Sequence, residues 1–415
     1  MMKKINSFLL MEKELFNIDK TKYIFEAIIY ISILILSFML PSFSYTSLHN
    51  LPLLFVGLVC ILIITYLFKY KTFSMNKCIS SMILFLLVII ISSMLNDISQ
   101  IKKTEFLLII MCIIFYEFIS YNNHLIKSIY ALYFGLTLFL IYFFIIYHKE
   151  ILSLDFKRLG SAFGNENAIG EYFMVGYLFG LYLVIIRKNF LLVIPTGIFI
   201  IFGFLTGSKS FFLSLLLLSV CFIVMIFGRK KWYISLISIV SVIIVIFVLL
   251  NLPMFATMKK RIISMLNTLL GNNSSYVDMS TVERYNMIFE AFYLFTFKPV
   301  FGWGTNGFAI NGSYATYSHT TITELLCDFG LVGFVLFIIP IICSFNIPKS
   351  SAGEKQWILK YLLLIYVCWL LFFGVLLGDK LYYLIMAYIL SMNNNKIDNH
   401  KKILEEDLKN EIQSF

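Results

Sequence analysis

Residues 232–250 read WYISLISIVSVIIVIFVLL, a stretch of 19 residues without a charged side chain. A helix of this length is about 28 Å long, which matches a bilayer hydrocarbon core of about 30 Å. The apolar residues run continuously instead of alternating with polar ones, which favours a helix over a barrel strand. The stretch therefore predicts a membrane-spanning helix.

Similar apolar runs recur along the whole chain of 415 residues, of which 60% are hydrophobic and 13% charged. Soluble domains have roughly 45–50% apolar and about 25% charged residues, so one soluble core cannot bury this excess. The pattern predicts an all-α integral membrane protein with about 12 transmembrane helices. The predicted spans are 23–40, 51–68, 77–95, 104–120, 126–147, 168–186, 190–206, 210–227, 232–250, 321–345, 357–377 and 381–392. The membrane domain would cover 23–392, between polar tails at 1–22 and 393–415.

The net charge of +10 is unevenly distributed. Alternate loops hold 20 Lys and Arg on one side against 12 on the other, although the second side has the longest loop. Cytoplasmic loops collect Lys and Arg, so we expect a multi-pass inner-membrane protein with both termini in the cytoplasm. This rule explains the basic balance without a nucleic-acid partner. The polar start is not typical of a cleavable signal peptide, and the cysteine spacing predicts neither a metal site nor disulfides.

The longest loop, 251–320, lies between spans 9 and 10 and is predicted to be extracytoplasmic. Residues 258–270 read as a short amphipathic helix at the membrane surface. Ser280-x-x-Glu283 is a capping box that starts a second helix, and Thr321-x-x-Glu324 is another that starts the tenth span. We therefore expect an ordered, partly helical loop that folds back over the bundle.

Cationic residues are unusual on the outer side, and four cationic or potentially cationic residues there are candidates for a site: Arg158, Lys209, Arg284 and His319. Together they can form an anion site, and guanidinium groups suit phosphate oxygens. His319 precedes a helix start, whose dipole disfavours imidazolium and leaves the ring able to accept a proton.

Each of these residues also has a structural interpretation. Arg158 and Lys209 are suited to snorkel toward lipid headgroups. Arg284 can pair with an acidic neighbour such as Glu283, and His319 can serve only to bond the loop. The sequence leaves both interpretations open.

Four further polar residues are candidates for substrate binding. Asn165 and Asn167 are turn formers that can also bind sugar hydroxyls. Glu171 lies near the outer end of the sixth span, where it either faces a polar cavity or has a structural role only. Glu324 is more typical of a helix cap than of a catalyst.

The order of these motifs resembles that of the O-antigen ligase and polymerase (Wzy-like) family of bacterial membrane glycosyltransferases. The resemblance rests on four stretches between 158 and 333: Arg158-Leu159-Gly160-Ser161-Ala162-Phe163-Gly164-Asn165-Glu166-Asn167-Ala168-Ile169-Gly170, Leu205-Thr206-Gly207-Ser208-Lys209-Ser210, Glu283-Arg284 through Pro299-x-x-Gly302-x-Gly304-x-Asn306-x-Phe308, and Tyr317-Ser318-His319-Thr320 through Glu324 to Gly333. Two positions depart from the family pattern. Lys209 stands where arginine is frequent, and Thr320 where asparagine commonly follows the histidine.

The resemblance implies a GT-C-like bundle that uses undecaprenyl-diphosphate-linked glycans as donor and acceptor outside the cytoplasmic membrane. It implies catalytic roles for His319 and Arg284, and substrate binding by Arg158, Lys209, Asn165, Asn167, Glu171 and Glu324. It further implies a chain-length regulator and a flippase as partners. We expect no cofactor and no metal, because the sequence has no Asp-x-Asp motif and no acidic cluster typical of a metal site. The apolar runs predict contact with the bilayer.

The sequence leaves the reaction open between several functions. We favour a polymerase of lipid-linked repeat units that builds an O-antigen, capsule or exopolysaccharide. A ligase that transfers finished polymer to a terminal acceptor is the closest alternative, and a related peptidoglycan or teichoic-acid transferase is another. A lipid-linked oligosaccharide flippase is a rival from another class, although a flippase would need charges along its spans.

Overall fold

Helices and the turns between them account for the described residues, which contain no strand. The computed structural model describes residues 2–43, 50–70, 75–96, 103–120, 124–153, 158–228, 231–270, 279–346, 355–374 and 376–392. Helices suit so apolar a chain because each backbone group then bonds within its own segment. The predicted all-α class is confirmed, while the predicted C-terminal tail lies outside the described residues.

There are fifteen α-helices in the described chain. They are α1 (Met2–Phe43), α2 (Asn50–Tyr70), α3 (Lys77–Asn96), α4 (Lys103–Ile119), α5 (His124–Ser153), α6 (Glu166–Leu181), α7 (Val193–Leu205), α8 (Lys209–Phe227), α9 (Trp232–Asn251), α10 (Ala256–Leu269), α11 (Met279–Phe297), α12 (Gly307–Asn311), α13 (Thr321–Cys343), α14 (Gln356–Phe373) and α15 (Lys380–Ser391).

Nine segments of the described chain are long and apolar enough to cross a membrane. They lie in α1, α2, α3, α5, α6, α8, α9, α13 and α14. The other three predicted spans coincide with α4, α7 and α15, which have only 17, 13 and 12 residues. A multi-pass membrane protein is thus supported, but the count of twelve is not confirmed. At about 1.5 Å per residue, α15 reaches only about 18 Å.

The centre of the bundle is built around α6, with α7 packed closely against it. Gly176 and Gly180 make this approach possible. A Cβ at Gly176 would lie 2.6 Å from the Phe199 ring, and one at Gly180 would lie 2.3 Å from the Thr196 hydroxyl. Small residues that let helix backbones approach are typical of membrane interfaces.

The helix α13 is interrupted at Gly330, whose φ of +63° is left-handed. The turn after α11 fills the break. The amide nitrogens of Trp303 and Gly304 donate to the carbonyl oxygens of Cys327 and Asp328, at 2.9 and 2.8 Å. The interruption therefore leaves these carbonyls satisfied. Two of the four family stretches meet at this point.

The region predicted as the large loop contains α10, α11 and α12. Its position on the outer side stays a prediction, as do the domain boundaries. The predicted tail 1–22 overlaps α1, which begins at Met2.

Candidate active site

A cavity of about 580 Å³ lies where α6, α8, α11 and α13 meet the 373–380 segment. Its wall carries four cationic side chains and five carboxylates. Seven of the eight predicted site residues line it: Asn165, Asn167, Glu171, Lys209, Arg284, His319 and Glu324. Residues far apart in sequence thus converge on one polar space in an otherwise apolar bundle.

Lys209 is the first residue of α8 and is only 9% exposed. The N-cap is Ser208, whose hydroxyl accepts from the Phe211 amide at 3.3 Å. The Lys209 ammonium donates to the Ser280 hydroxyl at 3.2 Å. This bond ties the start of α8 to the first turn of α11, so the region after α9 is held against the bundle at the cavity.

Arg158 is the one predicted site residue that does not line the cavity. Its guanidinium donates to the Asn167 side-chain oxygen at 2.9 Å and to the Thr206 carbonyl at 3.1 Å, and it lies 3.4 Å from the Glu166 carboxylate. Burial lowers the pKa of Arg158, the charge of Glu166 opposes the shift and that of Arg284 adds to it. Arg158 therefore lies behind Asn167, which does face the cavity.

Asn165 has the capping role that its residue type favours. Its side-chain oxygen accepts from the Asn167 amide at 2.9 Å and begins α6. The cap fixes the chain direction so that Asn167, and Glu171 one turn later, face the cavity.

Arg284 extends from α11 into the cavity. Within the described part of the chain it makes no hydrogen bond and no ion pair, including with the exposed Glu283. Its charge acts on both Arg158 and His319. A half-buried guanidinium that has no hydrogen-bond or ion-pair partner favours an anionic ligand.

His319 has a left-handed backbone, with a φ of +64°. Non-glycine residues adopt this conformation rarely, and they often do so at functional sites. Burial, and then the positive charge of Arg284, lower the pKa of His319 from 6.5 to about 4. The neutral imidazole is thus favoured, by burial and by Arg284, whereas the sequence prediction relied on the helix start that follows.

The predicted capping box at Thr321 is wrong by one residue. The N-cap of α13 is Thr320, whose hydroxyl accepts from the Thr323 amide. The buried Glu324 carboxylate accepts instead from the Ser318 amide at 2.6 Å. Glu324 thereby fixes the segment that carries His319. A hydrogen bond from a backbone amide to a carboxylate is strong when both groups are buried away from water.

Five charged residues of the cavity wall are not among the predicted site residues: Glu105, Arg261, Asp328, Asp379 and Lys380. The Asp379 carboxylate caps α15 through the Leu381 amide at 2.9 Å, and burial raises its pKa from 3.8 to about 6. The Asp-Lys pair between two apolar segments was a signal that could have identified this position. Glu105 had no comparable signal, because only the fold brings α4 to the cavity.

The hydroxyl of Thr321 fixes the segment that carries Asp379. It donates to the Gly374 carbonyl at 2.8 Å and accepts from the Leu376 amide at 3.1 Å. The segment between α14 and α15 is therefore held beside the start of α13, where His319 lies.

Comparison with known proteins covers part of the chain that lines this cavity. Residues 190–338 match the family model described as O-antigen ligase. This segment contains Lys209, Arg261, Arg284, His319 and Glu324. No curated protein matches the chain. The resemblance found from the sequence is thus confirmed over residues 190–338, which are similar to the O-antigen ligase family.

Proposed function

We propose that the protein is a glycosyltransferase that polymerises lipid-linked oligosaccharide repeat units outside the cytoplasmic membrane. The observation that carries the proposal is the joint presence of Arg284 and His319 on one cavity wall within the O-antigen ligase segment. The family match supports polysaccharide assembly in general; polymerisation is the finer step that we add.

In the proposed reaction, the acceptor hydroxyl oxygen forms a bond to the anomeric carbon of the donor sugar. The bond between that carbon and the diphosphate oxygen breaks, and its electron pair stays on the diphosphate. Arg284 and Lys209 stabilise this developing charge inside the cavity, where water screens it less. His319 orients the acceptor hydroxyl and takes its proton, which the neutral imidazole can accept.

The remaining predicted residues have supporting roles in this scheme. Asn167, Glu171 and Glu324 offer amide and carboxylate groups for sugar hydroxyls. Arg158 acts through Asn167 and not by direct phosphate contact, because its guanidinium is engaged with Asn167, Thr206 and Glu166. Asn165 supports the same turn as the cap of α6.

The proposed membrane arrangement has twelve spans in a GT-C-like bundle, with both termini in the cytoplasm and the cavity on the outer side. The charge asymmetry between loops supports the orientation. In this arrangement α4, α7 and α15 are short spans within the bundle, and α15 is shielded because every residue from Leu381 to Ser391 is buried. A chain-length regulator and a flippase are the proposed partners.

The central test is turnover of a synthetic undecaprenyl-diphosphate-linked repeat unit by purified protein in proteoliposomes. Arg284→Ala should lower the rate of chain elongation by about 10³-fold, because it removes charge stabilisation in the transition state. Glu283→Ala is the matched control, since this neighbour is exposed and lies outside the cavity wall. Undiminished elongation by Arg284→Ala would reject the proposed site.

Deletion of the gene separates polymerase from ligase. Loss of a polymerase should leave single repeat units on the acceptor, whereas loss of a ligase should leave long polymer on the lipid carrier. A purified protein that only moves lipid-linked oligosaccharide across vesicles would favour the flippase instead.

A further inference from the structure

The helix α10 lies at the edge of the bundle and has two unlike faces. Met258 and Ile262 are four residues apart and buried, at 1% and 9% exposure, so they share the face toward the bundle. Ile263 and Leu266 are about half exposed on another side. An amphipathic helix with exposed apolar side chains suits the boundary between lipid tails and headgroups.

The helix is anchored by the short turn before it. Phe255 in this turn is 2% exposed, and its ring centroid lies 5.4 Å from that of Phe204 at the end of α7. The position of α10 is therefore set in part by apolar packing against the end of α7.

Three consecutive cations on α10 point in different directions. Lys259 and Lys260 are exposed, and the Lys259 ammonium donates to the Asn251 side chain at 2.7 Å. Arg261 follows Met258 by three residues, which brings it to the bundle side. Arg261 is half-buried with a buried Nε, and it alone of the three lines the cavity.

We infer that Arg261 binds the phosphates of the lipid-linked substrate from the membrane side of the cavity. The inference rests on the proposed function and extends it to a residue on the surface helix. A polyprenyl diphosphate holds its phosphates at the headgroup level, with its chain in the bilayer. Arg261 lines the same cavity as Arg284 and is carried by the helix whose exposed apolar side chains suit the membrane surface. The planar fork of its guanidinium suits phosphate oxygens.

The test compares binding of two lipids to the full-length protein in nanodiscs: undecaprenyl diphosphate and undecaprenyl monophosphate. Arg261→Ala should weaken diphosphate binding by about 10- to 100-fold, the effect of losing a hydrogen bond between charged groups. Monophosphate binding should fall less, so the preference for diphosphate should shrink. Arg261→Lys should be intermediate because it keeps the charge and loses the fork.

Lys260→Ala is the matched control, since it removes a neighbouring cation of α10 that does not line the cavity. It should leave both affinities unchanged. If Arg261→Ala weakens binding of both lipids equally, so that the preference for diphosphate is unchanged, Arg261 has a structural role and the inference is overturned. A wild-type protein that binds neither lipid would instead reject the proposed function, before any variant is measured.

Discussion

His124 and His319 show two contrasting uses of the same side chain. His124 is 1% exposed and stacks on Phe118, with ring centroids 4.5 Å apart. Its two ring nitrogens are hydrogen-bonded to the hydroxyls of Tyr30 and Tyr66. His319 lines a cavity, and among the described residues it has a ring contact with Tyr317 but no hydrogen bond. Buried polar groups are normally satisfied, so a polar group that faces open space in a protein interior points to a ligand.

The surroundings of each histidine reinforce this contrast. The Tyr66 hydroxyl donates to the Glu26 carboxylate at 2.8 Å, and that carboxylate lies 3.8 Å from the His124 ring. The network joins α1, α2 and α5 and is complete within the protein. At His319 the positive charge of Arg284 opposes protonation of the ring instead of stabilising it. The first network stabilises the bundle, and the second arrangement is suited to chemistry.

Exchange of the two histidines for alanine should separate these roles. His319→Ala should lower turnover by about 10²-fold, the usual contribution of a positioned base, with little change in thermal stability. His124→Ala should lower the free energy of unfolding by about 3 kcal/mol, because it removes the buried ring that is hydrogen-bonded to Tyr30 and Tyr66 and lies close to the Glu26 carboxylate. Turnover per folded molecule should be retained.

The measurements are initial rate and thermal midpoint of purified protein in detergent. His148→Ala serves as the control, since His148 lies near the far end of the same helix as His124. If His319→Ala unfolds the protein while His124→Ala abolishes turnover of the folded protein, the comparison is reversed.

The pH dependence of turnover tests whether His319 is the base. The imidazole must be neutral to accept a proton, so turnover should be level above pH 5 and fall as the pH drops through about 4, the pKa of His319. Arg284→Gln removes a cation that depresses this pKa. The acidic limb of its residual turnover should therefore move to higher pH, but only in part, because burial is the larger cause.

A limb near pH 6 in the wild-type protein would contradict this assignment. It would point to Asp379, whose pKa burial raises to about 6. An Asp379→Asn variant that loses such a limb would identify the carboxylate as the titrating group.

Much of the site could be predicted because charges are scarce in this sequence. Lys209, Arg284 and His319 stood out against apolar surroundings, and all three line the cavity. Arg158 stood out equally, yet it lies behind Asn167. Sequence position shows that a residue is near a site, but it does not show which way the side chain points.

The fold was predictable in class and less so in detail. Hydropathy identifies long apolar helices whose side chains are mostly exposed at the surface of the bundle. One example is α9, which has only two buried residues. It cannot judge α15, where a short helix is enclosed by its neighbours and its depth in the membrane depends on them. Glu105 and Asp379 meet at the cavity only through tertiary packing, which no local pattern records.

The smallest expected effect concerns the residue that follows His319. The Thr320 hydroxyl caps α13 and also contacts the Thr323 hydroxyl at 2.6 Å. Thr320→Ala should lower the free energy of unfolding by about 1 kcal/mol and reduce turnover a few-fold, because the cap fixes the chain next to the left-handed His319. Thr320→Asn should retain both, since asparagine caps as well as threonine.

Thermal midpoint and initial rate measure these two effects together. Thr296→Ala is the control, because that exposed hydroxyl bonds only the Tyr293 carbonyl within α11. Equal losses in Thr320→Ala and Thr320→Asn would show that the threonine methyl group or its exact volume matters, not the cap. If Thr320→Asn retains stability and turnover while Thr320→Ala does not, this departure from the family pattern preserves the cap that positions His319. His319 then differs from His124 because its backbone, and not its ring, holds it in place.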